Sequence, residues 1–145
     1  MSVIVELLMP VLALICWTLV MWLWMYATRI PAMQKAQIDP DAARHPGTYG
    51  DRMPANVRSV ADNYNHLHEA PTVFYAVAIV LAIVGQGDGF NLWLGWAYVV
   101  LRVLHSLVQA TINKVAVRFG LFTLSTLVLI ALTFHAAITV FDIHL

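Results

Sequence analysis

Uncharged apolar runs divide the chain into four blocks. Lys, Arg, Asp and Glu are absent from residues 7–28, 70–87, 89–101 and 119–141. A membrane-spanning helix needs about 20 mostly apolar residues to cross a hydrocarbon core about 30 Å thick, and helix satisfies every backbone polar group within the segment. The first and fourth blocks suffice alone, the second when extended back through 58–69, and the third when Arg102 lies inside the span. We predict an all-α membrane protein, a four-transmembrane-helix bundle forming one domain (1–145), with helices at about 3–28, 57–84, 91–113 and 117–141.

Composition agrees with this class and excludes others. Hydrophobic residues make up 61% of the chain and charged residues 11%, whereas a soluble domain carries about 25% charged residues. A water-soluble globular domain is therefore excluded. The formal net charge of zero also argues against a nucleic-acid partner, which needs a basic surface. Because Cys16 is the single cysteine, the chain is not a disulfide scaffold.

The basic residues predict an orientation. Seven of the eight Lys and Arg flank two connections, a long first loop at about 29–56 and a short third one near Lys114 and Arg118. Cytoplasmic loops carry the excess of Lys and Arg. We therefore predict that loops one and three are cytoplasmic and that both termini lie outside.

Polar side chains form two stripes in the middle of the chain. The stripe on the second span comprises Arg58, Asp62, Asn65, His66 and Glu69, with Asn63 and His68 off its centre. The stripe on the third span comprises Arg102, His105, Ser106, Gln109 and Asn113. Both spacings follow one helix face in the cytoplasmic half, so we predict a polar cavity between these spans, open to the cytoplasm. We also predict that Glu69 pairs with Arg102 and that Pro71 kinks the second span.

Four interpretations of the stripes compete. Ionisable groups inside a membrane mark a functional site, whereas single polar residues also serve as interhelical hydrogen-bonding glue. A metal site is disfavoured, because His66 and His68 point about 200° apart on a helix and no His-Glu-x-x-His motif is present. A Ser106 nucleophile activated by His105 is disfavoured too, since adjacent helical residues do not face each other.

Two segments resemble the MAPEG family, the membrane-associated proteins of eicosanoid and glutathione metabolism, in bacterial-type members. The first runs from Arg58 through Asn63, Asn65 and Glu69 to Pro71 and Phe74, and is similar to the family's Arg…Asn…Glu…Pro…Phe signature. The second runs from Tyr98 through Arg102, His105, Ser106 and Asn113 to Arg118. The resemblance implies a homotrimer of four-helix subunits in the bacterial inner membrane, with glutathione bound between neighbouring subunits.

The same resemblance implies roles for individual residues. Arg58, Asn65 and Glu69 correspond to glutathione contacts, and His105 lies where relatives have a tyrosine. Arg118 matches the arginine that opens the fourth helix and activates the thiol, and Arg102 is a second candidate for that role. The stripe on the third span adds Gln109 and Asn113 to the predicted glutathione-binding set.

The implied activity is transfer of glutathione to a lipophilic small molecule, or reduction of a lipid hydroperoxide by glutathione. A non-catalytic, lipid-binding or scaffold protein of the same fold is the main alternative. A small four-helix exporter is less favoured, because such proteins need a carboxylate within the first span and Glu6 lies at its edge.

Overall fold

A computed structural model describes residues 3–39, 41 and 50–142 of the chain. Five α-helices lie in these residues: α1 (Val3–Lys35), α2 (Ala55–His66), α3 (Ala70–Ile83), α4 (Gly89–Ala110) and α5 (Val115–Val140), with a 3-10 turn at Gly50–Arg52. Much of the predicted first loop, including Tyr49 and Arg44, lies outside the described residues. The helix α1 continues past residue 28 to Lys35.

Four segments of the described chain are long and apolar enough to cross a membrane: Val5–Lys35, Ala55–Ile83, Gly89–Ala110 and Val115–Val140. The second of these contains both α2 and α3. The protein is therefore a multi-pass, all-α membrane protein built on four spans, which confirms the predicted fold class.

The bundle core forms where α1 packs against α2, α3 and α4, and where α4 packs against α5. Leu7, Leu14 and Met21, seven residues apart, are fully buried on the inner face of α1. The rings of Phe74 and Tyr98 stack across α3 and α4 with centroids 4.4 Å apart. Most other large apolar side chains of the spans are exposed, as expected where lipid surrounds the bundle.

Successive spans run in opposite directions, so the helix ends gather at two opposite ends of the bundle. At one end, which we call the loop end, Arg52 Nη2 donates to the Ala36 carbonyl at 2.8 Å, and Asn113 Nδ2 donates to Ser59 Oγ at 2.9 Å. This end gathers the last turn of α1, the first turn of α2 and the turn between α4 and α5.

The opposite end is closed by side chains from the first turn of α4 and from α5. Asn91 Nδ2 donates to the Gln86 carbonyl at 3.0 Å, and His135 Nδ1 lies 2.8 Å from Asn91 Oδ1. The candidate site described below lies toward the loop end, well away from this contact.

The second span breaks into α2 and α3 at residues 67–69. Pro71 has no backbone N–H, and it occupies the first turn of α3. The Thr72 amide and hydroxyl both donate to the Glu69 carbonyl, at 3.1 Å and 2.6 Å. The predicted kink is thus present, and it lies just before Pro71 instead of at the proline itself.

Candidate functional site

The interior face of α2 is not the predicted stripe. Val57, Val60 and Leu67 are buried, and Asn63 is buried with them. Arg58, Asp62, Asn65 and Glu69 are exposed instead, and His66 is half-buried. The prediction that this stripe faces α4 is wrong, because the apolar side chains on the other face of α2 take the interior and turn the charged face outward.

The stripe on α4 does face the interior. Arg102, His105, Ser106 and Gln109 are buried, each at most 4% exposed. Asn113 lies beyond the end of α4 and is exposed, yet both of its amide atoms are engaged: Nδ2 donates to Ser59 and Oδ1 accepts from Arg118 Nη1 at 2.6 Å.

A buried hydrogen-bond junction joins three helices at Ser106. Its hydroxyl oxygen accepts from Asn63 Nδ2 of α2 at 2.6 Å and from Trp17 Nε1 of α1 at 3.0 Å. Asn63 is therefore the residue of α2 that meets the α4 stripe. A sequence signal marks it, since it shares the helix face of Val57, Val60 and Leu67.

Arg102 is held by the break in the second span and not by Glu69. Its Nη2 donates to the His66 carbonyl at 3.1 Å, and its guanidinium carbon lies 5.6 Å from the centre of the Phe122 ring. The predicted Glu69–Arg102 pair is wrong: the Glu69 carboxylate lies 2.8 Å from His66 Nδ1, and its side chain is 60% exposed. The reason is that α2 ends at His66, so Glu69 leaves the register of the helix face and His66 offers a carbonyl to Arg102.

Two donor atoms of Arg102, Nε and Nη1, are buried and have no hydrogen-bond partner among the described residues. Gln109 Oε1 is buried and unpartnered as well. Each such atom carries a desolvation cost until something bonds to it. The inward face of α4 thus carries hydrogen-bond donors and an acceptor that no described residue bonds.

A cavity of about 270 Å³ opens beside this seam, between α2, α4 and α5. Its walls combine two imidazoles and a guanidinium with apolar side chains; they are His66, His105, Val115, Arg118, Phe119 and Phe122. The His66 and His105 rings meet edge to face with centroids 6.2 Å apart. The prediction of a polar cavity next to α4 therefore needs correction in two respects: α5 supplies four of the six lining residues, and the wall is more apolar than the two stripes indicated.

Arg118 is the fixed cation of this cavity. Its Nη1 is bonded to Asn113, whereas its Nε is buried and has no partner. It lies in the first turn of α5, where Lys114 is the N-cap and provides no side-chain cap. The first amides of a helix lack intrahelical partners and carry a partial positive charge. An anion in the cavity would therefore meet both a guanidinium and uncapped N–H groups.

The residues predicted from sequence thus separate into three groups. Arg118 and His105 line the cavity, and Asn113 holds Arg118. Arg102 and Gln109 lie buried in the interior. Arg58, Asn65 and Glu69 lie on the outer face of the second span, where Arg58 Nη1 is 3.7 Å from Asp51 Oδ1. His66, Phe119 and Phe122 were not predicted as site residues; only His66 had a sequence signal, its place in the polar stripe.

Four spans, a polar seam in the loop-end half and a cation at the start of the last helix define a membrane protein with an intramembrane site. The family model for the MAPEG family matches residues 7–138. The chain therefore belongs to the MAPEG family, as the sequence resemblance indicated. A search of curated proteins and a search of solved structures each found no match. Family membership supports a glutathione-related function.

Proposed function

We propose that this protein is a membrane glutathione transferase or glutathione peroxidase acting on lipophilic substrates. In conjugation, the glutathione sulfur loses its proton and forms a bond to an electrophilic carbon, which either expels a leaving group as an anion or, in an activated double bond, passes its π electrons to the neighbouring atoms, which then take up a proton. In peroxide reduction, two glutathione molecules become a disulfide while the hydroperoxide becomes an alcohol and water. Both reactions begin with a thiolate, which is the nucleophilic form of the thiol.

The observation that carries the proposal is the position of Arg118 in the cavity wall. A cation within about 4–6 Å of an acid lowers its pKa by about 1–3. A thiol pKa lowered from about 8.5 to about 6.5 raises the thiolate fraction at pH 7 from about 3% to about 76%. The bond to Asn113 orients the guanidinium in the cavity wall.

The exposed polar face of α2 supports a site shared between subunits. Asp62, Asn65 and Glu69 are exposed within a membrane-spanning segment, where contact with lipid is costly. A second copy packed on this face removes that cost and brings Arg58, Asn65 and Glu69 to bound glutathione. We therefore propose a homotrimer with glutathione between subunits and with the lipophilic substrate entering from the bilayer beside Phe119 and Phe122.

Absorbance of the bound thiolate tests the role of Arg118. Glutathione added to purified protein near neutral pH should give a thiolate signal in the wild type and in Arg118→Lys. Arg118→Ala should lose most of the signal while its mass in mild detergent is unchanged. Lys114→Ala is the matched control, because Lys114 is an exposed cation one turn away and is not among the residues that line the cavity.

Three results would contradict the proposal or a part of it. If the wild type does not bind glutathione at millimolar concentration, the enzyme is excluded and the non-catalytic lipid-binding or scaffold alternative takes its place. If Arg118→Ala keeps the full thiolate signal, another group activates the thiol. A strict monomer that still binds glutathione would contradict the shared site, whereas the proposed trimer has the mass of three chains.

The proposed location is the bacterial inner membrane, with loops one and three in the cytoplasm and both termini outside. The support is the Lys and Arg bias of the loops. Single cysteines placed at His45 and at Leu145, in a Cys16→Ala background, report the orientation through an impermeant thiol reagent in intact cells. Labelling at position 145 alone is expected, and labelling at position 45 alone would reverse the orientation.

A further inference from the structure

A second cavity lies at the loop end, between the end of α1 and the start of α2. It has a volume of about 510 Å³ and is formed by the last turns of α1 and by the segment from Arg52 to Val57 that leads into α2. This volume is within the range of ligand pockets, about 300–1,000 Å³. None of its lining residues belongs to the cavity that contains Arg118.

Two cations face this second cavity and no carboxylate lines it. Lys35 forms no hydrogen bond or ion pair with any residue in the described part of the chain. Arg52 uses Nη2 to bond the Ala36 carbonyl, which leaves its other donors available. The nearby carboxylate of Asp51 lies 3.7 Å from Arg58. The cavity therefore offers an ammonium and a guanidinium to an anion, a combination suited to a phosphate group.

The depth of the cavity points to a lipid. The span Val5–Lys35 has 31 residues and is about 46 Å long at 1.5 Å per residue. The hydrocarbon core is about 30 Å thick and the bilayer with headgroups about 40–45 Å. Lys35, at the very end of this span, therefore lies at the level of the lipid headgroups.

An apolar track continues from the cavity toward the membrane centre. Pro31 lines the cavity, and Ala27 and Val20 are exposed on the same face of α1, four and eleven residues earlier. Four and eleven residues correspond to nearly whole helical turns. When the phosphate of a phospholipid lies at Lys35 and Arg52, one of its acyl chains can lie along this face.

From these observations, we propose that the cavity between Lys35 and Arg52 binds the phosphate headgroup of an anionic phospholipid, with one acyl chain along Pro31, Ala27 and Val20. Basic pockets at the ends of membrane helices bind such headgroups. The proposal does not depend on glutathione chemistry, because it uses a separate cavity and separate residues.

The test uses the full-length protein in neutral detergent with phosphatidylglycerol, phosphatidylcholine or inorganic phosphate added at equal concentration. Retained lipid is counted by native mass spectrometry, and the unfolding midpoint is followed in parallel. Phosphatidylglycerol should bind and raise the midpoint. Lys35→Gln should weaken its binding about fivefold, and Lys35→Arg should restore it. Lys114→Gln, an exposed cation at the same end of the bundle, is the matched control and should bind as the wild type does.

Several outcomes would overturn the proposal. Equal weakening by Lys35→Gln and Lys114→Gln would mean that only the general positive charge of this end attracts the lipid. Equal binding of phosphatidylcholine would exclude selection for an anionic headgroup. Equal stabilisation by inorganic phosphate would assign the cavity to a free anion. Unchanged phosphatidylglycerol binding in Lys35→Gln would place the lipid elsewhere.

Discussion

Replacing Ser106 by alanine should destabilise the bundle measurably, although only one oxygen atom is removed. The Ser106 hydroxyl is fully buried and accepts hydrogen bonds from Asn63 and Trp17. Without it, the buried Asn63 amide and the part-buried Trp17 indole N–H, on two other helices, lose their acceptor. Interhelical hydrogen bonds in membranes are worth about 0.6 kcal/mol on average and about 1.7 at most. Two such bonds predict a loss of about 1–3 kcal/mol in the free energy of unfolding.

Ser125→Ala is the matched control. Ser125 is 1% exposed, and its hydroxyl donates to the Phe122 carbonyl at 2.8 Å, within α5 itself. The two substitutions remove the same atom from equally buried sites, but only Ser106→Ala breaks contacts between helices. Unfolding of the purified variants in mixed micelles measures both free energies, and Trp17→Phe should cost about half as much as Ser106→Ala. A difference below about 0.5 kcal/mol between the two serine variants would refute the role of this junction.

Two further predictions concern packing and the helix break. Gly95→Leu should lower the unfolding midpoint, because a Cβ added there would lie 3.0 Å from Leu7 Cδ1 and 3.2 Å from Pro10 Cγ. Gly120→Leu is the control and should have little effect, because a Cβ added at Gly120 would meet no atom within 4 Å. Equal effects of the two variants would contradict the close approach of α1 and α4. Arg102→Met should destabilise the protein by about 1–3 kcal/mol, since it removes the side-chain donor to the His66 carbonyl. Glu69→Gln should not destabilise it, because Glu69 does not pair with Arg102. Comparable losses from both variants in the same unfolding assay would indicate that Glu69 and Arg102 form an ion pair after all.

The four spans were predictable from sequence, because a membrane-spanning helix needs about 20 mostly apolar residues. The family was predictable from the two segments that resemble it, at 58–74 and 98–118. The inward face of α4 was predictable as well, since its polar residues share one face and its other faces are apolar. Nothing local distinguishes the two faces of α2 so simply: it carries a polar stripe and an apolar stripe, and the apolar one with Val57, Val60 and Leu67 packs inward. Asn63 lies on the same face of α2 as these apolar residues, and it is buried with them.

The break in the second span shows a different limit of sequence reasoning. Pro71 predicts a disturbance of the helix, but its exact place depends on which groups bond the carbonyls in the turn before it. Arg102 bonds the His66 carbonyl from another helix, and Thr72 bonds the Glu69 carbonyl. These partners separate α2 from α3 before Pro71, and they turn Glu69 away from the guanidinium with which it was expected to pair.

The polar residues of the membrane interior therefore serve two different purposes. At Ser106, the side-chain partners come from within the chain, and the bonds tie α1, α2 and α4 together. At Arg118, one bond to Asn113 fixes the guanidinium in the cavity wall, and its buried Nε has no partner among the described residues. Interhelical glue satisfies itself, whereas a binding group must be held and still keep capacity for its ligand. Arg102 and Arg118 both meet that criterion, but only Arg118 lines the cavity, so Arg118 is the cation of the polar seam placed to meet a ligand.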